Sequence, residues 1–222
     1  GEEVAREIVV SIPLTEAERT AIAVLGRSKV LTRAQACGET EFPLRYSEAA
    51  LRACAEENAE GADWRLVYLR GNSLCVERER VGTNRKRQPC FDPDYTWMMN
   101  PAEDGWAAQG FEPGYYLLDM NGRFGATAWA RQDGRIAELG REFVRAHEAM
   151  VSEAALRLFE AADERLLANW WHWGRSLSSD GGRVLVGRFG RRGWRVSSYA
   201  DPSWDDRGLL RVCARRKFDL AA

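Results

Sequence analysis

Beyond Gly181 the chain stops spacing its apolar residues three and four apart and begins to alternate them. Val184 and Val186 alternate with Leu185 and Gly187; Trp194, Val196 and Ser198 alternate with Arg195, Ser197 and Tyr199; Leu210, Val212 and Ala214 alternate with Arg211, Cys213 and Arg215. A period of two is the signature of a strand with one face buried. Gly190, Gly193, Pro202 and Gly208 cut the run into short pieces. Just upstream, 144–168 has the other period: Val151, Ala155, Leu158, Phe159, Ala162 and Leu166 form one stripe along a helix. A weaker helix over 128–142 precedes it, interrupted by Gly134 and Gly140. Helices with one apolar face followed by short strands must bury that face on a sheet. The expected fold class is therefore α+β, a small, mostly antiparallel sheet with two packed helices.

The first part of the chain reads as an α/β extension. Ile8–Ile12 has strand character, and Thr15-Glu16-Ala17-Glu18 is a capping box that opens a helix. Thr32–Gln35 suggests a short helical turn, and Ser47 caps a helix that runs to Ala59 and stops at Gly61. Trp64–Leu69 and Leu74–Arg78 flank Gly71-Asn72-Ser73 and predict a hairpin. Residues 82–113 combine loop composition with Tyr95, Trp97, Trp106 and Phe111, a long loop pinned to a core. Gly114–Asp119 is a buried strand. These boundaries divide the chain into an N-terminal helical extension, 1–60, and a second domain, 61–222.

Composition excludes several classes. No run of about 18 apolar residues exists to cross a membrane. The acidic start Gly1–Glu7 lacks the basic-then-apolar order of a secretory leader, so a cytoplasmic location is expected. Five cysteines, Cys37, Cys54, Cys75, Cys90 and Cys213, form no C-x-x-C pair, and with only His147 and His172 beside them no metal site and no cofactor are expected. Free thiols in a reducing compartment are the natural reading. The net charge is −1, yet 183–217 holds nine Arg and one Lys against Asp201, Asp205 and Asp206, a local charge of +7.

No nucleotide-binding glycine loop, nucleophile elbow or H-E-x-x-H helix is present, so the chain is not expected to be an enzyme. Asp119, Glu153 and Glu160 offer carboxylates that no spacing brings together. His147 is placed as a helix cap, and His172, inside Trp170-Trp171-His172-Trp173, as a residue whose ring nitrogens bond backbone. Gly187-Arg188-Phe189-Gly190-Arg191-Arg192-Gly193 has glycines and arginines suited to a phosphate, but strands on both sides make it a tight β-turn. The candidate ligand-binding surface is Arg188, Arg191, Arg192, Trp194, Arg195, Ser197, Ser198, Tyr199, Asp201, Ser203, Trp204, Asp205, Asp206 and Arg207. Arg, Trp, Tyr and Ser are the residue types that binding faces are built from.

Three stretches, Asn169–Gly174, Arg183–Phe189 and Leu210–Phe218, together with Ala62–Tyr68, Gln88–Phe91, Pro113–Leu117 and Arg145–Ala149, resemble the variable proteins of diversity-generating retroelements. The resemblance covers residues 60–218. It implies a C-type lectin fold related to formylglycine-generating enzymes, a variable region over about 183–217, and a display face that recognises a protein ligand. It further implies fixed positions at Val186, Gly187, Phe189, Gly193, Val196, Val212, Cys213 and Phe218. Trp194 and Trp204 depart from the adenine-derived pattern of such faces, and Leu210-Arg211 stands where Leu-Gly is the family pattern. The alternative from the charge alone is a nucleic-acid-binding module using the Arg-rich, aromatic end.

Overall fold

The structure is a computed structural model and describes residues 12–200 and 208–222. The elements run α1 (Glu16–Leu25), β1 (Val30–Leu31), α2 (Glu48–Ala59), β2 (Trp64–Leu69), α3 (Leu74–Val81), α4 (Asp104–Ala107), β3 (Gly114–Asp119), α5 (Trp129–Leu139), β4 (Phe143–Arg145), α6 (Glu148–Ala162), β5 (Trp171–Leu177), β6 (Arg183–Gly190), β7 (Gly193–Tyr199), β8 (Leu210–Arg211) and β9 (Ala214–Arg216). Among the described residues they form two sheets, ordered β1-β2-β3-β9-β4 and β7-β6-β5-β8. The class is mixed α+β. No helix among the described residues is long and apolar enough to cross a membrane.

The first sheet is covered on both faces, so β2 and β3 are buried along their whole length. Trp64, Leu66, Tyr68, Tyr115 and Leu117 meet Ala17, Ala21, Ala50 and Leu51 of α1 and α2. Val67, Leu69, Tyr116 and Leu118 turn the other way, toward Ala154, Ala155 and Leu158 of α6. Helix α6 lies between the sheets and is buried from Glu148 to Leu158. Several of its polar residues are tied. Ser152 Oγ donates to the Glu148 carbonyl (2.8 Å), and Glu153 accepts from the amides of Arg70 (2.7 Å) and Asn72 (3.0 Å) and from Arg157 Nε (2.8 Å).

Local rules place several elements where the sequence puts them. Thr15 and Glu18 close a reciprocal capping box on α1, Ser47 caps α2, and His147 Nδ1 accepts from the Ala149 amide (3.1 Å) as the cap of α6. Thr32 to Gln35 forms a turn closed by the Ala36 amide on the Thr32 carbonyl (3.0 Å). The expected strand Ile8–Ile12, apart from Ile12, lies outside the described residues.

Three expectations are corrected. Residues 64–78 are not a hairpin. The amides of Arg70 and Asn72 go to Glu153, Ser73 Oγ caps α3 through the Val76 amide, and β3 takes the antiparallel place beside β2, from Trp64↔Asp119 to Leu69↔Gly114. The segment 144–168 is a strand, a cap and a shorter helix, which ends where Asp163 turns left-handed (φ 57°). The segment 210–217 is divided between the sheets: Leu210 and Arg211 pair in parallel with β5, while Arg215 pairs with Leu118 of β3. Phe159 consequently rests edge-on against Phe189 of β6 (5.5 Å between centroids) and is half-buried. Phe159→Ala is expected to cost about 2 kcal/mol by chemical denaturation, less than a fully buried ring would cost.

Candidate ligand-binding face

Strand β7 separates two sets of side chains. Trp194 and Val196 point into the core beside Phe189 and α6, and both are fully buried. Arg195, Ser197 and Tyr199 occupy the opposite face and keep partial exposure. Register carries that outer face across the sheet: Arg195 lies opposite Gly187, Ser197 opposite Leu185, Tyr199 opposite Arg183, and on β5 Trp173 lies opposite Leu185. Trp173, Leu185 and Leu210 make a small apolar patch there, flanked by Trp129, Trp171 and Tyr199. Tyr199 meets Trp173 edge-on at 6.4 Å.

The turn joining β6 to β7 presents Arg191 and Arg192 to solvent. Gly193 (φ +113°) permits it, since a Cβ there would lie 2.5 Å from the Cys90 carbonyl oxygen. The register slips between Gly187 and Gly190, which leaves Arg188 left-handed (φ 46°) with its amide on the Trp170 carbonyl (3.0 Å), and aims Phe189 inward.

The expected surface is therefore only partly one surface. Trp194 is corrected to the core: its ring packs on Phe189 and its Nε1 donates to Ser152 Oγ (2.9 Å). Ser198 lies on the Trp194 and Val196 side of β7, away from Ser197. Asp201, Ser203, Trp204, Asp205, Asp206 and Arg207 lie outside the described residues.

Sequence reasoning missed the segment that braces this hairpin. Cys90 to Asp92 runs along β7: the Trp194 amide donates to the Cys90 carbonyl, and the Asp92 amide to the Trp194 carbonyl (both 2.8 Å). Asp92 is fully buried and receives Arg195 Nε at 3.0 Å, Arg85 Nη2 at 3.3 Å and Arg192 Nε at 3.5 Å; Arg85 and Arg192 also reach Asp94. Arg195 also lies 5.5 Å from the Tyr95 ring. Gln88 Nε2 donates to the Arg191 carbonyl (3.1 Å), and Arg165 Nη1 to that of Gly190 (2.8 Å). A lone Asp after Phe91, among prolines and aromatics, carried no pattern that would have marked it.

No protein-family model matches the chain, and neither the curated proteins nor the solved structures contain a significant match.

The outer face of β7 carries groups that hydrogen-bond and stack, and no catalytic arrangement accompanies them among the described residues. Guanidinium, hydroxyl and aromatic groups offer hydrogen bonds and flat contact area on a fixed frame. The carboxylates considered for acid–base work are spread apart. Asp119 is bound to Arg123 and the Asp63 amide, Glu153 to Arg157, and Glu160 to Arg80. Burial pushes the thiols of Cys75 and Cys90 up, that of Cys54 to about 12 and that of Cys213 well above the ordinary range. Among the described residues no cluster of three or more His, Cys, Asp or Glu is placed to hold a metal.

Proposed function

We propose that the chain is a ligand-binding scaffold of the C-type lectin kind, whose hairpin β6–β7 and following residues form a variable surface, diversified by a retroelement, for recognising a protein ligand. The observation that carries this reading is the division of β7. Its inward residues hold the core, and on its outward face Ser197 can change without touching it.

The reading also sorts the surface. Arg191 and Ser197 are free to vary, whereas Tyr199 rests on buried Trp173. Arg195 is not free either, because it pairs with buried Asp92. A library randomised at Arg191 and Ser197 should give mostly cooperative, folded members, with stability changes of about 0.5 kcal/mol per position. One randomised at Phe189, Trp194 and Val196 should not. Equal folding failure in both libraries would remove the display reading. At the gene, a near-repeat of the segment encoding 183–217 with adenines at its mismatches, beside a reverse-transcriptase gene, is the matching genomic expectation; a complete locus with neither leaves a binder of fixed specificity.

One observation favours a second reading, a nucleic-acid-binding module. The loop carrying Arg85, Lys86 and Arg87 is exposed and is joined to the Arg191 turn through Gln88, so basic residues from two segments meet. Phosphate-driven binding of mixed DNA or RNA would weaken by about 10³-fold or more between 50 and 200 mM salt if six or more phosphates were contacted. Salt-independent binding of a protein ligand would decide for the first reading.

A further inference from the structure

A cavity of about 620 Å³ opens beside Trp129, between α5, strand β4, strand β5 and Lys217 near the end of the chain. Its apolar floor is Ile136, Ala137, Phe143 and Val144, of which Ile136 and Phe143 are buried. Its polar lining is almost wholly cationic: Arg141, Arg145, Arg175 and Lys217 against the single carboxylate of Asp133. That carboxylate is already engaged, accepting from Arg145 Nε at 3.0 Å.

The cations are not equivalent. Arg145 is a fixed wall, 4% exposed, with its other nitrogens on Gln132 Oε1 (3.0 Å), the Trp173 carbonyl (2.6 Å) and the Trp129 carbonyl (3.0 Å). Trp129 is fixed in turn, its Nε1 donating to the Gly174 carbonyl (2.9 Å) and its ring approached by the guanidiniums of Arg183 (3.7 Å) and Arg145 (4.6 Å). Lys217 Nζ donates to the Arg141 carbonyl (2.8 Å). The guanidiniums of Arg141 and Arg175 have no acceptor among the described residues.

Burial lowers the Arg145 guanidinium to about 10, and the charges of Arg183 and Arg175 push it the same way. Like charges gathered over an apolar floor, with one carboxylate already spent, are relieved by an anion that brings its own apolar body. Guanidinium forks donate to carboxylate or phosphate oxygens in pairs. We infer that this cavity is a binding site for a small organic oxyanion, a carboxylate or phosphate on an apolar body, with Arg141 and Arg175 taking the anionic head and Ile136, Ala137 and Phe143 the body. The site uses none of the outer residues of β7, so it stands or falls separately from the recognition reading.

Benzoate and phenyl phosphate are the probes, with benzamide as the neutral control and sulfate as the anion without a body, followed by isothermal titration and by melting temperature. Benzoate, phenyl phosphate or both should bind with a dissociation constant of about 1 mM, as befits ligands this small. Which of the two binds tells a carboxylate site from a phosphate one. The double variant Arg141→Gln/Arg175→Gln should weaken that binding by about tenfold or more. Both side chains are exposed and unpartnered, so the variant should melt no lower than the parent without ligand, and a cooperative melt confirms that lost binding is not lost fold. Failure of both anions to bind at 10 mM, benzamide binding as well as benzoate, sulfate binding as well as either, or undiminished binding by the folded double variant would each overturn the assignment.

Discussion

Trp194→Ala is expected to remove about 3–5 kcal/mol of folding stability, measured by denaturant unfolding, the range for emptying a large aromatic site in a packed core. The ring is fully buried, lies edge-on to Phe189 at 5.6 Å between centroids, and gives its Nε1 hydrogen to Ser152 of the central helix. Removing it opens a cavity where β7 meets α6 and takes from Ser152 the donor it accepts. Trp194→Phe keeps most of the packing and loses only the hydrogen bond, and should cost about 1–2 kcal/mol. Ser197→Asn, three residues along the same strand and on the other face, should change stability by no more than about 0.5 kcal/mol. A near-neutral Trp194→Ala would mean that β7 presents the opposite face to the core.

The contrast between positions 194 and 197 also shows what a sequence can say about such a chain. Alternation alone divides Trp194, Val196 and Ser198 from Arg195, Ser197 and Tyr199, and the fold obeys it. Grouping Trp194 with the binding residues follows residue type, and residue type does not know which face of the strand meets α6. The caps at Thr15, Ser47 and His147 were legible because their hydrogen bonds close within three residues. The pairing of β2 was not. Leu74-Cys75-Val76 is too short to distinguish a period of two from one of 3.6. The decision is made by Glu153, some eighty positions away, which takes the Arg70 and Asn72 amides that a hairpin turn would need. The division of 210–217 between two sheets is likewise set by partners: Trp171 and His172 hold Leu210 and Arg211, while Leu118 and Val144 hold Arg215. At the site, Asp92 was unreadable for the same reason, because its meaning comes from Arg85, Arg192 and Arg195 converging on it. The anion cavity gathers residues from four segments, none carrying a motif of its own.

Acid should weaken this protein through His172. The ring is fully buried and joins the two sheets: Nε2 donates to the Ala146 carbonyl (3.0 Å), between β4 and α6, and Nδ1 accepts from the Cys213 amide (3.0 Å), between β8 and β9. Both bonds are made by the neutral imidazole, and a proton on Nδ1 would face the Cys213 N–H. Burial, with the charge of Arg145 and then of His147 adding to it, lowers the pKa from 6.5 to about 3. The folded state therefore binds fewer protons than the unfolded one between those values, so the stability contributed by His172 is complete above pH 6.5 and is lost as pH falls toward 3. One proton gives a slope of about 1.4 kcal/mol per pH unit, or about 3 kcal/mol lost between pH 6.5 and 4.5. Glu153 acts in the opposite sense. Burial and the neighbouring Glu77 raise its pKa, so its contribution falls as pH rises above the ordinary carboxylate range. Asp63 and Glu103 are held below their ordinary values and lose their contribution only toward still lower pH. The histidine is thus read from a difference: unfolding free energies of the parent and of His172→Asn, measured from pH 7.5 to 4.5. Asn keeps an acceptor toward Cys213 and carries no proton, so the variant starts less stable at neutral pH, and the gap narrows by about 3 kcal/mol as the parent alone pays for protonation. A gap that stays constant across that range would show that His172 is not the group through which acid loosens the two sheets.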